Sequence, residues 1–134
     1  MLKEALQVLR TSKTIALLGA SAEPAKYGHK VFSALRDLYR VIPVNPKRAD
    51  IEGVRCYPSY AELPETPDAV IVALAPQVTE VVVPQLIAQN APLIWLPPEC
   101  FTNEAVNACT RAGVPVISDI CPVAALATLK RLGV

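Results

Sequence analysis

A chain of 134 residues with 52% apolar and only 5% aromatic side chains reads as one domain, residues 1–134, built around an aliphatic core. Its formal net charge of +1 excludes a polycation made for nucleic acid or a membrane surface, so any anion site must be local. Four cysteines without C-x-x-C spacing and a single histidine exclude a Cys/His zinc site, and predict reduced, mostly buried thiols in a cytoplasmic protein.

Within Met1–Lys13, the residues Leu2, Ala5, Leu6 and Leu9 fall on one face of an amphipathic helix, which is the wrong pattern for a secretion signal. Thr14–Gly19 (TIALLG) predicts a buried strand ending in glycine. Gly28–Leu38 follows with helical spacing through Val31, Phe32, Leu35 and Leu38. Arg40–Val44 (RVIPV) is a second strand, and Pro43, which lacks a donor, sets its end or a sheet edge. Val54–Tyr57 is a candidate short strand and Tyr60–Leu63 a candidate helical turn, before a break at Pro64–Pro67. Asp68–Leu74 (DAVIVAL) carries the strongest central-strand pattern.

Gln77–Asn90 is helical through Val78, Val81, Val82 and Leu86. Pro84 is expected to kink or split it, since an interior proline costs about 3 kcal/mol. Pro92–Leu96 (PLIWL) is the next strand, with Trp95 expected in the core. Thr102 or Asn103 is placed to cap a helix through Ala112 that Gly113 closes. Val114–Ser118 is a last strand and Pro122–Leu132 a last helix, entered through proline.

Strands alternate with helices throughout. This predicts parallel pairing through right-handed crossovers, hence a three-layer, doubly wound, mostly parallel α/β sheet of five or six strands, Rossmann-like in outline. Ligands in such sheets sit beyond the C-terminal strand ends near the switch point. The segments to weigh are therefore 19–28, 45–48, 74–77, 96–101 and 118–121.

The first of these holds Gly19, Ser21, Lys26, Tyr27 and Gly28. Gly19 permits a sharp exit, Ser21 offers a hydroxyl, Lys26 a charge, and the start of the Gly28 helix offers free N–H groups to an anion. A glycine turn without a ligand is the plainer alternative. The loop is too long for the dinucleotide fingerprint, which weakens NAD. After the second strand an NAD site wants an acid, and here the chain reads Asn45-Pro46-Lys47-Arg48. Two cations there suit an extra ribose phosphate, as on NADP or coenzyme A, unless the turn is merely solvated. Leu74-Ala75-Pro76 offers backbone groups and an apolar wall, suited to an adenine or a pantetheine arm.

Catalytic groups are scarce. No G-x-S-x-G, H-E-x-x-H or P-loop occurs, and His29 reads as a surface or helix-start residue. Asp119 is expected to cap the last helix, with Cys121 buried beside it.

The stretches IALLGASAEPAKYGHKV, YRVIPVNPK, RCYPSYAELPETPDAVIVALAP, LIWL and VISDICP together resemble the small single-domain CoA-binding proteins of Rossmann-like fold. The same module forms the nucleotide-binding domain of the succinyl-CoA synthetase alpha subunit. The resemblance implies that Gly19, Ala20, Ser21, Ala22, Glu23 and Pro24 hold the CoA phosphates, that Lys47 contacts the nucleotide, and that Leu74, Ala75 and Pro76 line the site. One departure is Pro97-Pro98-Glu99, where the relatives often carry Gln and soon Gly. The synthetase's catalytic histidine belongs to a domain absent from this sequence. The expectation is therefore a protein that binds coenzyme A or an acyl-CoA, with no reaction implied. The alternative is an NADP-binding reductase or an acyl-CoA-handling enzyme using Cys121 or Asp119. A homodimer or a catalytic partner protein is the expected company.

Overall fold

The computed structural model describes residues 1–133. Strand β1 (Thr14–Leu18) sends Ile15 and Leu17 into one core and Ala16 and Leu18 into another, because side chains alternate across a pleated strand. Strands β5 (Ala69–Val72) and β6 (Ile94–Leu96) do the same: Ile71 and Trp95 face one side, Val70, Val72, Ile94 and Leu96 the other. A strand buried on both faces cannot alternate apolar with polar, which is why IALL, AVIV and IWL are uninterrupted apolar runs. With β2 (Arg40–Val44) and β7 (Val116–Ser118) they form one five-stranded sheet in the order β2-β1-β5-β6-β7, and every pairing is parallel.

Three helices cover one face. Helix α1 (Leu2–Thr11) contributes Ala5, Leu6 and Leu9, α2 (Tyr27–Leu35) contributes Val31, Phe32 and Leu35, and α5 (Pro122–Arg131) contributes Ala125, Leu126 and Leu129. The opposite face is covered by Val83 and Leu86 of α3 (Pro76–Ala88) and by Ala105 and Cys109 of α4 (Asn103–Arg111). The fold is thus a Rossmann-like α/β sandwich. The chain leaves β1 toward β2, then returns across β1 to β5, so the switch point lies between β1 and β5.

Three expectations need correction. Residues 50–55 form an antiparallel hairpin, β3 (Asp50–Ile51) and β4 (Val54–Arg55), where the sequence predicted one strand over 54–57; Tyr57 instead bridges Val44 of β2 in parallel. Glu52 and Gly53 both have positive φ, 48° and 82°, which suits the tight turn whose twist matches paired strands. Helix α3 runs unbroken through Pro84, so the expected split does not occur. Proline removes the bond to the Glu80 carbonyl, but Pro84 and Glu80 are both exposed, on a side of the helix where solvent can supply the missing donor. Helix α5 is capped by Cys121, without a side-chain bond, and Asp119 sits two residues earlier with φ 61°. Thr102 behaves as expected, its hydroxyl accepting from the Ala105 N–H at 3.0 Å.

Asp68 ties the entrance of β5 to that of β1. Its carboxylate accepts from the N–H groups of Lys13 at 2.8 Å and Thr14 at 3.0 Å. The Thr14 bond, then the Lys13 bond, hold the carboxyl below its ordinary value of 3.8. A carboxylate with a lowered folded value stabilises the fold fully above its unfolded value and loses that contribution as pH falls through the folded one. Asp68→Asn is expected to cost about 1 kcal/mol in urea unfolding at pH 7. The gap between variant and parent should close as the pH drops below 3.8.

Candidate functional site

The loop after β1 is shaped by two glycines that pack against backbone. Gly19 has φ 86°, and a Cβ on it would lie 2.1 Å from the Ala73 carbonyl oxygen, at the exit of β5. A Cβ on Gly28 would lie 1.9 Å from the carbonyl oxygen of Gly19. Helix α2 therefore starts directly against the β1 exit, which rests directly against the β5 exit. No side chain separates the three at the switch point.

That contact opens a cleft of about 800 Å³. One wall is Gly19, Ala20, Ser21 and Glu23, continued by Lys26, Tyr27 and Gly28 of the α2 entrance. The Ser21 Oγ accepts from the Glu23 N–H at 3.0 Å, which folds the loop and leaves the hydroxyl hydrogen free to donate. Among the described residues, the N–H groups of Tyr27 and Gly28 make no backbone hydrogen bond, as is usual in a first helical turn. They point the positive end of a nine-residue helix at the cleft.

Asn45, just past β2, is a clamp. Its Nδ2 donates to the Ala20 carbonyl at 2.9 Å, and its Oδ1 accepts from the Lys47 N–H at 2.8 Å. The β1 loop is thereby fixed to the β2 exit, and Lys47 is set on the cleft wall. Three lysines, Lys26, Lys30 and Lys47, line the cleft against two acids, Glu23 and Glu99. Lys26 is 4.0 Å from the Glu23 carboxylate, whereas Lys30 and Lys47 have no ion pair among the described residues. The charge balance at the β2 side favours an anion.

Beyond the switch point the lining changes to Pro98, Glu99, Cys100 and Cys121. Cys121 was expected to be buried; its side chain is half-buried and accepts a hydrogen bond from the Tyr27 hydroxyl at 3.1 Å. Burial, helped by that bond, pushes the Tyr27 phenol above its ordinary 10, so it remains a donor. Burial likewise pushes the Cys100 thiol up. Trp95 is core, its indole N–H donating to the Ile120 carbonyl at 2.8 Å.

Of the residues singled out in the sequence, Gly19, Ala20, Ser21, Glu23, Lys26, Tyr27, Gly28, Asn45, Lys47, Leu74 and Ala75 meet on this cleft. Five lie off its wall. Ala22 packs against the core, Pro24 is exposed, and Pro76 opens α3. Arg48 donates from Nε to the Asp50 carbonyl at 3.3 Å, along the hairpin. Pro46 lines an adjoining apolar pocket of about 250 Å³, shared with Leu74, Tyr60, Val78 and Val82. Lys30 was missed, although it stands one helical turn beyond Lys26 and so on the same face. His29 lies off the cleft, bonded through Nε2 to Glu52 of the hairpin turn at 2.5 Å.

A parallel sheet with a polar, lysine-lined cleft at its switch point defines a Rossmann-like ligand-binding domain. Residues 13–127 match the CoA binding domain family, and the chain belongs to it. The uncharacterized protein YneT of Bacillus subtilis is 31% identical over 128 residues, 95% of either chain. The alpha subunit of ADP-forming acetate–CoA ligase II from Pyrococcus furiosus is 37% identical over 62 residues, which are 45% of this chain but only 14% of that subunit. A solved hypothetical protein from Pyrococcus horikoshii OT3 superposes with a TM-score of 0.89 at 29% identity, covering 97% of this chain and 92% of that one. Among the described residues no helix is long and apolar enough to cross a membrane.

The glycine contact is testable by stability alone. In a helix, alanine normally gains about 1 kcal/mol over glycine. Against a carbonyl 1.9 Å away the clash wins, and Gly28→Ala is expected to cost at least about 2 kcal/mol. Gly53→Ala, at the open hairpin turn, meets only its positive φ and should cost about 1 kcal/mol. Urea denaturation of both variants checks the order.

Proposed function

We propose that the protein is a single-domain module that binds coenzyme A or an acyl-CoA in this cleft. The pyrophosphate lies against the Ser21 loop and the free N–H groups of Tyr27 and Gly28, where the helix end favours an anion. Lys47 meets the 3′-phosphate. The adenine packs in the apolar pocket between Pro46, Tyr60 and Leu74, next to the cleft. Lys26 and Lys30 add charge along the pyrophosphate.

The observation that carries this reading is Asn45 followed by Lys47 at the β2 exit, in a chain of the CoA-binding family. An acid at that position would select an unphosphorylated ribose; a lysine selects a phosphorylated one. NADP shares that feature and is the weaker candidate, since the family match favours coenzyme A. The relation to part of a ligase alpha subunit favours a second role, in which the domain presents its bound ligand to a catalytic partner.

Calorimetric titration separates these assignments. Coenzyme A is expected to bind about tenfold more tightly than dephospho-CoA, which lacks the 3′-phosphate. Lys47→Ala should abolish that preference and leave dephospho-CoA affinity unchanged. Equal affinity of the parent for both ligands would remove Lys47 from the site, and failure of either to bind at millimolar concentration would refute the coenzyme A reading. A thermal shift with NADPH but not with coenzyme A would replace it with the reductase alternative.

A further inference from the structure

The strand order separates the two chemistries of the cleft. Lys47 follows β2, on one side of the switch point, while Cys100 follows β6 and Cys121 follows β7, on the other. Coenzyme A is built the same way, with phosphates at one end and sulfur at the other. A ligand anchored by its phosphates on the lysine side extends its sulfur toward the two thiols.

We propose that Cys121 is a site of reversible mixed-disulfide formation with a coenzyme A disulfide bound in the cleft. The inference rests on the coenzyme A reading above. The Cys121 Sγ, as thiolate, attacks the nearer sulfur of the bound disulfide. A new S–S bond forms, the old one breaks, and its electron pair leaves on the departing coenzyme A thiolate. That thiolate takes up a proton equivalent to the one Cys121 gave up. One thiol and one disulfide are consumed and one of each is produced, so no further oxidant is needed.

The surroundings single out Cys121 among the four cysteines. Cys56 and Cys109 are buried and off the cleft. Cys100 is only 6% exposed, and burial, with the Glu99 charge, pushes its thiol up. Cys121 is half-buried on the cleft wall, receives a hydrogen bond from the Tyr27 hydroxyl, and caps the N-terminus of a ten-residue helix. The Tyr27 contact fixes the Cys121 sulfur on the cleft wall, where the sulfur of a bound disulfide can reach it.

The test uses the full-length protein, reduced, freed of reductant and incubated with coenzyme A disulfide. Intact-mass spectrometry should show one adduct, equal to coenzyme A less two hydrogens, mapped by peptide analysis to Cys121 and released by dithiothreitol. Glutathione disulfide offers the same sulfur chemistry without the nucleotide, and should react at least about tenfold more slowly. Equal rates, an adduct on another cysteine, or no adduct would overturn the proposal. Calorimetry of the reduced protein with coenzyme A reads the underlying site separately. Reversible binding without an adduct sinks only the Cys121 assignment, whereas no binding sinks the coenzyme A reading itself.

Discussion

Three stretches of backbone meet at the switch point with no side chain between them, and the site depends on that contact. Gly28 rests on the Gly19 carbonyl, and Gly19 on the Ala73 carbonyl. A methyl group on Gly28 would push the α2 entrance off the β1 exit, and one on Gly19 would push the β1 exit off the β5 exit. The cleft, the direction of the helix end and the reach of the Tyr27 side chain all follow from this close approach. Asn45 completes the arrangement by tying the β1 loop to the β2 exit.

The rest of the molecule holds those exits in register. Parallel pairing aligns Leu18 with Val44 and with Val72, so β1, β2 and β5 end level with one another. Two cores, one on each face, lock the sheet between its helices. Farther along the same edge, Glu99 and Asp119 both have positive φ, 66° and 61°, where the chain leaves β6 and β7. These uncommon conformations for side-chain-bearing residues turn the loops that carry Cys100 and Cys121 onto the cleft.

Most of the fold was legible because its signals are local. Apolar runs marked strands buried on both faces, and Thr102 marked a helix start by its own side chain. Alternating elements implied parallel crossovers. The β3–β4 hairpin was only half legible, since a two-residue strand is too short to show a period and Glu52-Gly53 is not a common hairpin turn pair. Pro84 misled because the cost of an interior proline depends on which way the orphaned carbonyl faces, and that is a tertiary fact.

By itself, the sequence determined that a glycine-bounded loop follows the first strand, that no acid follows the second, and that a lysine stands there in its place. Those are one-dimensional statements, because each is a neighbour of a strand that its own hydrophobicity reveals. Only the tertiary structure decided which residues share the cleft. It turned Arg48 along the hairpin while leaving Lys47 on the wall. It also brought the Tyr27 hydroxyl to Cys121, which is 94 residues away along the chain. The physical reason is that side-chain direction at a strand exit is set by φ, ψ and packing against distant segments, and no local pattern encodes it.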